Sequence, residues 1–471
     1  MCRTASSSSA IVTLLLLSLI AACDGPPSHA DRRLTADAVL TDVDHLVDTL
    51  EQAHADPYRV TSREDLLELV SRVKARLRSR EGARISIPES YFILQEIAAV
   101  VQDEHTWVAF PHDALPEDEL YLPFEIDVVE GKLVTTRSLG KSEIPPFAEL
   151  LEINGVPART ILERSQDYLS PPLPHAKANE FKDVVYFYLT TLFDLHSPWT
   201  VRYASGGAAS ATASVTAKGI GIRELRSTLS ADPLHRAYSM DVNGESIPVL
   251  DLPNFSHGSF DDYREFIDAF FESNRGRRAL VIDLRRNPGG NGTWGYYMLD
   301  HLTDSSYSII EDFEFKVSDV FRTSGYRNKV GDGLEGARDG EYIPIVMDHT
   351  RTPRASSGKF GGQAILLISH FTDSAGVVTA AIFKHAGMGT VVGQETAGRV
   401  KFCSDPVHLE LPRTGLTVSI PVAIYALPGG SPDRGVIPDI VVDLALADLR
   451  QGRDRVMDAV RERLERSAAA P

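Results

Sequence analysis

Changes in the spacing of hydrophobic residues divide the chain into three predicted parts. Over residues 34–115 apolar side chains recur at helical spacing, as in residues 43–50 and 66–70. This pattern predicts amphipathic helices. A third helix is expected from Pro88 to Val101, and it ends just before the segment Asp103-Glu104-His105-Thr106. We therefore predict an N-terminal helical region over residues 34–115.

The period shifts to two in the next part, residues 116–237. Polar and apolar residues alternate in Phe124-Glu125-Ile126-Asp127-Val128, and residues 199–203 and 212–217 are also typical of strands. Residues 149–153 lead into the Asn154-Gly155 pair, which favours a tight turn. This portion is predicted to be β-rich.

A regular alternation of strands and helices begins near residue 238 and predicts an α/β domain over residues 238–448. Apolar runs at 247–252, 279–284 and 363–368 are expected to be buried strands, since Val and Ile suit a sheet covered on both faces. The intervening helices are expected at 260–273, 295–302 and 375–386. Polar, glycine-rich residues 325–362 predict a mobile insertion near a site. A charged helix within 449–471 is expected to be solvated or docked.

The first residues have the pattern of an export signal. An apolar core from Ile11 to Ile20, too short to cross a bilayer as a helix, is followed by small residues. Residues 1–22 are therefore predicted to be a signal peptide, with residues 23–33 as a tether. The segment ending in Cys23 resembles the lipobox of bacterial lipoproteins, which implies lipidation of Cys23. Asp24 resembles the signal that retains some lipoproteins at the inner membrane, which implies a periplasmic, membrane-tethered protein. The alternative is an ordinary secretory signal with a chance cysteine.

Composition excludes several classes of function. The formal charge of −17 argues against nucleic acid and anionic lipid surfaces as partners. With Cys2 in the signal and Cys23 lipidated, Cys403 stands alone and no disulfide framework is expected. No metal-ligand spacing, phosphate loop or dinucleotide loop is present, so neither metal nor cofactor is expected. His45 and His54 are expected at the surface.

Two predicted strand-turn-helix junctions carry the candidate chemistry. The first strand is followed by Asn287-Pro288-Gly289-Gly290, where the N–H group of Gly289 or of Gly290 can donate to an oxyanion. The second places Ser374 at the start of a helix. There Ser374 is either a simple N-cap or a nucleophile, with the Ala375 N–H as a further oxyanion donor.

These motifs, in this order, resemble the tail-specific (C-terminal processing) serine protease family. The likeness rests on Asp-Leu-Arg-Arg-Asn-Pro-Gly-Gly at 283–290, Thr-Asp-Ser-Ala-Gly at 372–376, Val-Gly-Gln-Glu-Thr-Ala-Gly at 392–398 and Gly-Val-Ile-Pro-Asp at 435–439. Upstream, Asp103 to Thr106 resembles the family's Asp-x-His-Thr motif, and residues 150–156 resemble part of its PDZ-like domain. The resemblance spans roughly residues 40–445. It implies a ClpP/crotonase-like catalytic core and a PDZ-like fold for the β-rich portion.

The family has two catalytic schemes, and Arg399 bears on the choice. Arg399 stands where one branch has a base lysine, and a guanidinium cannot serve as a base near neutral pH. The other branch, which includes the tricorn core protease and resembles retinoid-binding repeats, uses a histidine that matches His105. Lys401 is the alternative base. The resemblance implies Asp433 as the third member of the triad, with Glu395 as the alternative.

The sequence thus predicts an exported serine endopeptidase that cleaves polypeptides, with Ser374 as nucleophile and His105 as general base. The alternative is a non-catalytic lipoprotein that binds peptides or apolar ligands on the same scaffold.

Overall fold

The structure, a computed structural model, describes residues 32–206, 212–229, 234–345, 349–353 and 359–469. The predicted signal peptide, Cys23 and nearly all of the predicted tether lie outside the described residues. Among the helices of the described ranges, none combines the length and the apolar character that crossing a membrane requires.

The N-terminal region is helical, as predicted, and its three main helices begin at polar caps. The side chains of Thr35, Ser62 and Ser86 each accept a hydrogen bond from a backbone N–H of the first turn, which satisfies a donor that the helix itself leaves free. The elements of this region are β1 Arg33–Thr35, α1 Ala36–Ala53, α2 Arg63–Arg78, β2 Arg84–Ser86, α3 Ile87–Val100, β3 Trp107–Val108 and β4 Leu120–Tyr121.

The next portion is built on a sheet in the order β10-β9-β7-β6-β5, with β8 paired to β7. Asn154 and Gly155 form the predicted turn between β7 and β8, and both have positive φ. The elements are β5 Phe124–Val129, β6 Lys132–Ser138, β7 Glu149–Ile153, β8 Val156–Pro157, α4 Ala158–Ser165, α5 Pro174–Thr191, β9 Trp199–Ala204, β10 Thr212–Ala217, β11 Ile220–Gly221 and α6 Ile222–Leu229.

Helix α5 was not predicted from the sequence. Residues 184–190 are all buried, one after another. A helix buried on nearly every side shows no apolar stripe, so the 3.6-residue period that reveals most helices is missing.

The strands of the remaining part form two larger sheets and one two-stranded sheet. The elements of this part are β12 Arg236–Val242, β13 Glu245–Asp251, α7 Phe260–Asn274, β14 Ala279–Asp283, α8 Gly292–Leu299, β15 Tyr307–Ser308, β16 Asp312–Lys316, α9 Asp319–Thr323, β17 Tyr342–Pro344, β18 Thr350–Arg351, β19 Gln363–Ile368, α10 Ala375–His385, β20 Thr390–Gly393, β21 Lys401–Glu410, β22 Thr417–Ala426, β23 Ile440–Val441, α11 Leu446–Arg450 and α12 Arg455–Ala469. The larger sheet has the order β12-β13-β14-β19-β20-β23 and is parallel from β13 to β23.

This parallel sheet is covered on both faces, as its apolar strands predicted. Leu280 and Ile282 of β14 pack in a cluster with residues of α7, α8 and α10. Val281, which points to the opposite face, packs with Val460 and Leu464 of α12. The C-terminal helix is therefore a docked element, the second of its two predicted alternatives.

The smaller sheet has the order β17-β16-β22-β21 and joins the N-terminal region to the α/β part. Its strand β22 also pairs with β3, with Val108 opposite Val418 and Trp107 opposite Ser419. Strand β17 comes from the glycine-rich segment that was expected to be a mobile insertion. The pairing of β3 with β22 carries the segment just before it, which includes His105, to the α/β part.

Candidate active site

The two strand-turn-helix junctions predicted from the sequence are neighbours in the structure. Strands β14 and β19 are adjacent and parallel, with Asp283 opposite Leu367, so the turns that follow them emerge at one edge of the sheet. The Asp373 N–H donates to the Asn287 carbonyl at 2.9 Å, which ties the second turn to the first. Open α/β sheets bind ligands at this edge.

Ser374 has a strained backbone at the start of α10. Its φ is 48° and its ψ is −118°, a conformation that non-glycine residues rarely adopt and that often marks functional sites. The Ser374 N–H donates to the Asp373 carboxylate at 2.7 Å, which supports the turn. The Ser374 hydroxyl makes no capping hydrogen bond to the helix. The simple N-cap alternative therefore does not describe this serine.

The N–H groups beside Ser374 divide into occupied and free donors. The sequence offered Gly289 or Gly290 as an oxyanion donor, and the Gly289 N–H is excluded because it donates to Asn287 Oδ1 at 2.8 Å. Among the described residues, no hydrogen bond occupies the N–H of Gly290 or of Ala375. Gly290 is held by a bridge to Phe255. These two N–H groups are the available oxyanion donors.

Gly289 contributes by its lack of a side chain. It has a φ of +105°, and a β-carbon at this position would lie 2.7 Å from the Ser374 Cβ and 2.9 Å from the Ala375 nitrogen. Only glycine fits such a close approach with this backbone conformation.

His105 lies in the loop that follows α3 and is 3% exposed. Its N–H donates to Asp103 Oδ1 at 2.9 Å, and its carbonyl accepts from Ser419 Oγ at 2.8 Å. The ring stacks on Phe402, with 6.1 Å between centroids and 28° between planes. Its Nδ1 is buried without a hydrogen-bond partner, and no hydrogen bond joins the ring to Ser374. Serine–histidine hydrogen bonds are often long in the absence of substrate.

Carboxylates link the His105 loop to the Ser374 turn. A β-carbon at residue 398 would lie 2.6 Å from Asp373 Oδ1 and 3.8 Å from Glu104 Oε1, so both side chains approach Gly398. Burial, together with the charge of Glu104, raises the pKa of Asp373 to about 6. Burial and Glu104 likewise raise the pKa of Asp103 to about 6. Asp103 and Asp373 therefore begin to bind protons at mildly acidic pH.

The structure does not bring either predicted third member of the triad to His105. Asp433 has a 75% exposed side chain and lies 3.7 Å from Arg59. Glu395 accepts hydrogen bonds from Arg434 and from the Gly435 N–H. Since the Nδ1 of His105 has no partner, neither carboxylate orients the ring. The prediction for Asp433 is corrected on this point: the chain beyond Pro432 turns its carboxylate to solvent.

The two basic residues near the family's lysine position, Arg399 and Lys401, have other partners in the structure. Arg399 is 5% exposed and donates to the Gln102 carbonyl at 3.1 Å, which ties β21 to the loop of His105. Lys401 begins β21 opposite Ala426, and its charge acts on Glu314. Nothing in these contacts places Lys401 beside Ser374.

His54 is buried, whereas the sequence predicted a surface position. It is 0% exposed, and with Asp103 and Cys403 it forms a group whose ligand atoms lie within 4.8 Å of one another. Sequence spacing missed this group because its members are far apart along the chain. The Asp56 N–H donates to His54 Nδ1 at 3.0 Å, so the neutral ring carries its proton on Nε2. A metal bound to Nε2 would force the ring proton onto Nδ1, where it would face the Asp56 N–H, so that two donors would oppose each other. This group of residues therefore does not fit a metal ion.

Asp283 and Arg285 form an ion pair at 2.7 Å. Arg285 also pairs with Asp454 just before α12. This pair fixes the turn after β14 to the C-terminal helix.

Comparison with known proteins agrees with this arrangement. Residues 246–442, which include Ser374 and both glycines, match the model of the family described as Peptidase family S41. The crystal structure of mature CPAF superposes with a TM-score of 0.65 at 18% identity, over 90% of this chain and 96% of that chain. The structure of mature CPAF complexed with lactacystin gives the same TM-score and identity, over 92% of this chain and 98% of that chain.

The photosystem II D1 C-terminal processing protease matches at 16% identity with a TM-score of 0.43, over 87% of this chain and 94% of that chain. At these identities the CPAF structures show a shared fold. Of these comparisons, only the match to Peptidase family S41 bears on the reaction, and it covers the α/β part of the chain.

Proposed function

We propose that the chain is a serine endopeptidase acting on polypeptides, with Ser374 as its nucleophile. The proposal is supported by the match of residues 246–442 to the model of Peptidase family S41. The observation that carries the proposal is the strained Ser374, whose hydroxyl is not used as a cap and which is flanked by the unoccupied N–H groups of Gly290 and Ala375. A serine serving only as a helix cap would instead bond to its own helix.

The proposed reaction follows from these positions. The Ser374 oxygen forms a bond to the substrate carbonyl carbon while its proton passes to His105. The N–H groups of Gly290 and Ala375 stabilise the resulting oxyanion. The C–N bond then breaks as His105 returns the proton to the departing amine, which leaves an acyl-enzyme that water hydrolyses through the same base.

Covalent labelling tests the nucleophile. A biotinylated fluorophosphonate should label the wild-type protein and not Ser374→Ala, and casein should be cleaved only by the former. Ser431→Ala is a matched control because Ser431 is exposed in a turn. Labelling of Ser374→Ala at wild-type intensity would refute the assignment. An unlabelled wild-type protein that still binds casein would support the non-catalytic alternative.

A second pair of variants tests the base. His105→Ala should slow labelling by about 10² or more, the usual contribution of a general base. Lys401→Ala should leave the rate within about twofold, because the Lys401 charge acts on Glu314. The reverse result would assign the base to Lys401.

Export and lipidation of Cys23 are part of the proposal, supported by the pattern of residues 11–23. In a bacterial host, radiolabelled palmitate should enter the wild-type chain and not Cys23→Ser, which should leave the membrane fraction. If neither wild type nor Cys23→Ser takes up palmitate, the segment is an ordinary secretory signal, and equal incorporation into both would contradict lipidation at Cys23.

A further inference from the structure

A hydrogen-bond chain of fixed direction runs behind the His105 loop. It begins at the end of α1, where the Asp56 N–H donates to His54 Nδ1 at 3.0 Å. His54 Nε2 lies 2.8 Å from Thr106 Oγ1. Thr106 Oγ1 lies 3.1 Å from Asp103 Oδ1, which also accepts the His105 N–H at 2.9 Å.

In this series of hydrogen bonds, the direction of each bond fixes the direction of the next. A backbone N–H can only donate, so His54 Nδ1 must accept and the ring proton lies on Nε2. Nε2 therefore donates to Thr106 Oγ1, whose own proton is left to point at Asp103. Asp103 in turn receives two donors on one oxygen, from Thr106 and from the His105 backbone. The direction of every bond thus depends on the tautomer of His54.

The surroundings keep His54 in this neutral state. The side chains of His54 and Thr106 are fully buried, and Asp103 is 5% exposed. Lys316 Nζ donates to the carbonyls of Glu51 and His54 at 2.9 Å each, which places a cation beside the ring. Burial and this charge lower the pKa of His54 to about 3. The imidazole is therefore a permanent single donor at neutral pH.

We propose that His54 is a positioning residue for catalysis: its Nε2–H orients Thr106 and Asp103, which hold the backbone of His105 against the Ser374 turn. His54 acts through the loop and does not touch substrate. The inference rests on the proposed function, since it assigns a role in aiming the base of that reaction.

Two amide substitutions separate this role from simple packing. The amide of His54→Gln can take the position of Nε2 and donate to Thr106, whereas the shorter amide of His54→Asn reaches only the position of Nδ1. Both variants replace the ring by a neutral amide. We expect fluorophosphonate labelling of Ser374 to stay within about threefold of wild type in His54→Gln and to fall by about 10² in His54→Asn, since a displacement of about 1 Å has such an effect.

A second pair removes or keeps the hydroxyl at the next link. Thr106→Ser should retain the labelling rate, and Thr106→Val, which matches the threonine in shape, should lower it as His54→Asn does. For casein cleavage, kcat should fall with little change in KM. The thermal unfolding midpoints of His54→Asn and His54→Gln should be the same. If both His54 variants fail to fold, the Thr106 pair decides the matter.

Hydrogen exchange gives a readout that does not depend on activity. The segment 101–108 should exchange faster in His54→Asn than in His54→Gln, because only the former loses the chain that holds the His105 N–H. Equal labelling rates and equal exchange in the Asn and Gln variants would overturn the role of His54. An unlabelled but folded wild-type protein would instead overturn the peptidase proposal, with the exchange difference still deciding whether His54 orders the loop.

Discussion

Gly289 lies against Ser374 so closely that a β-carbon at residue 289 would be 2.7 Å from the Ser374 Cβ. Gly289→Ala must therefore displace Ser374 or the turn, and the φ of +105° at this position adds strain. We expect a loss of about 10²–10³ in kcat, similar to the removal of an oxyanion donor. Gly292→Ala is the control, because its nearest neighbour would be 3.5 Å away. Full activity of Gly289→Ala would contradict the close approach.

Asp373 supports the strained backbone of Ser374 by accepting its N–H at 2.7 Å. Asp373→Asn keeps an oxygen acceptor at this place and removes the charge, whereas Asp373→Ala removes both. We expect Asp373→Asn to keep most of the labelling rate and Asp373→Ala to lose about tenfold or more, as expected when a residue that positions a reacting group is lost. Labelling kinetics at pH 7.5 would measure this difference. Equal losses would show that the charge of Asp373, rather than the hydrogen bond, is required.

Asp433 is exposed and paired at 3.7 Å with Arg59. Exposed ion pairs contribute little, and no contact leads from this carboxylate to the His105 ring. Asp433→Asn should therefore change casein cleavage by less than about twofold. A loss of 10² or more would show that substrate binding turns the loop of residue 433 towards His105.

His54 makes stability depend on pH with a known sign. Its pKa is about 3 in the fold and 6.5 in the reference state, so between these values the unfolded chain binds a proton that the folded chain excludes. Acidification through this window therefore destabilises the fold, by about 2 kcal/mol between pH 7 and pH 5 for this one group.

The raised pKa values of Asp103 and Asp373, both about 6, act in the opposite direction. Between about pH 6 and 3.8 the fold holds their protons more tightly than the unfolded chain. The contribution of His54 is therefore read as the difference between wild type and His54→Gln in urea unfolding. Wild type should lose stability relative to His54→Gln as the pH falls from 7 to 5, and a stability difference that stays constant over this range would contradict the buried neutral ring.

The parts of the site that the sequence predicted are those set by short motifs. Ser374 and Gly290 each follow a strand recognisable by its own apolar run, and parallel pairing of these strands brings their ends together. The sequence could not decide between Gly289 and Gly290 because the Gly289 N–H is taken up by the Asn287 side chain, a local contact that residue spacing does not reveal.

The rest depends on contacts between distant segments. His54 was taken for a surface residue because it follows a helix and no sequence pattern singles it out, and its partners Asp103 and Cys403 come from distant parts of the chain. Helix α5 was missed for a related reason: neighbours on several sides bury its residues 184–190, and this half of the helix has no polar face from which a period could be recognised.

The pairing of β3 with β22 has a consequence for the order in which the protein matures. Ser419 and His105 are bonded across 314 positions of sequence, and contacts of such separation form late because long loops must close first. A growing chain can thus contain both Ser374 and His105 while the strand that secures the histidine is not yet made. Under the proposed function, we expect the newly synthesised polypeptide to gain peptidase activity only after its two halves have joined.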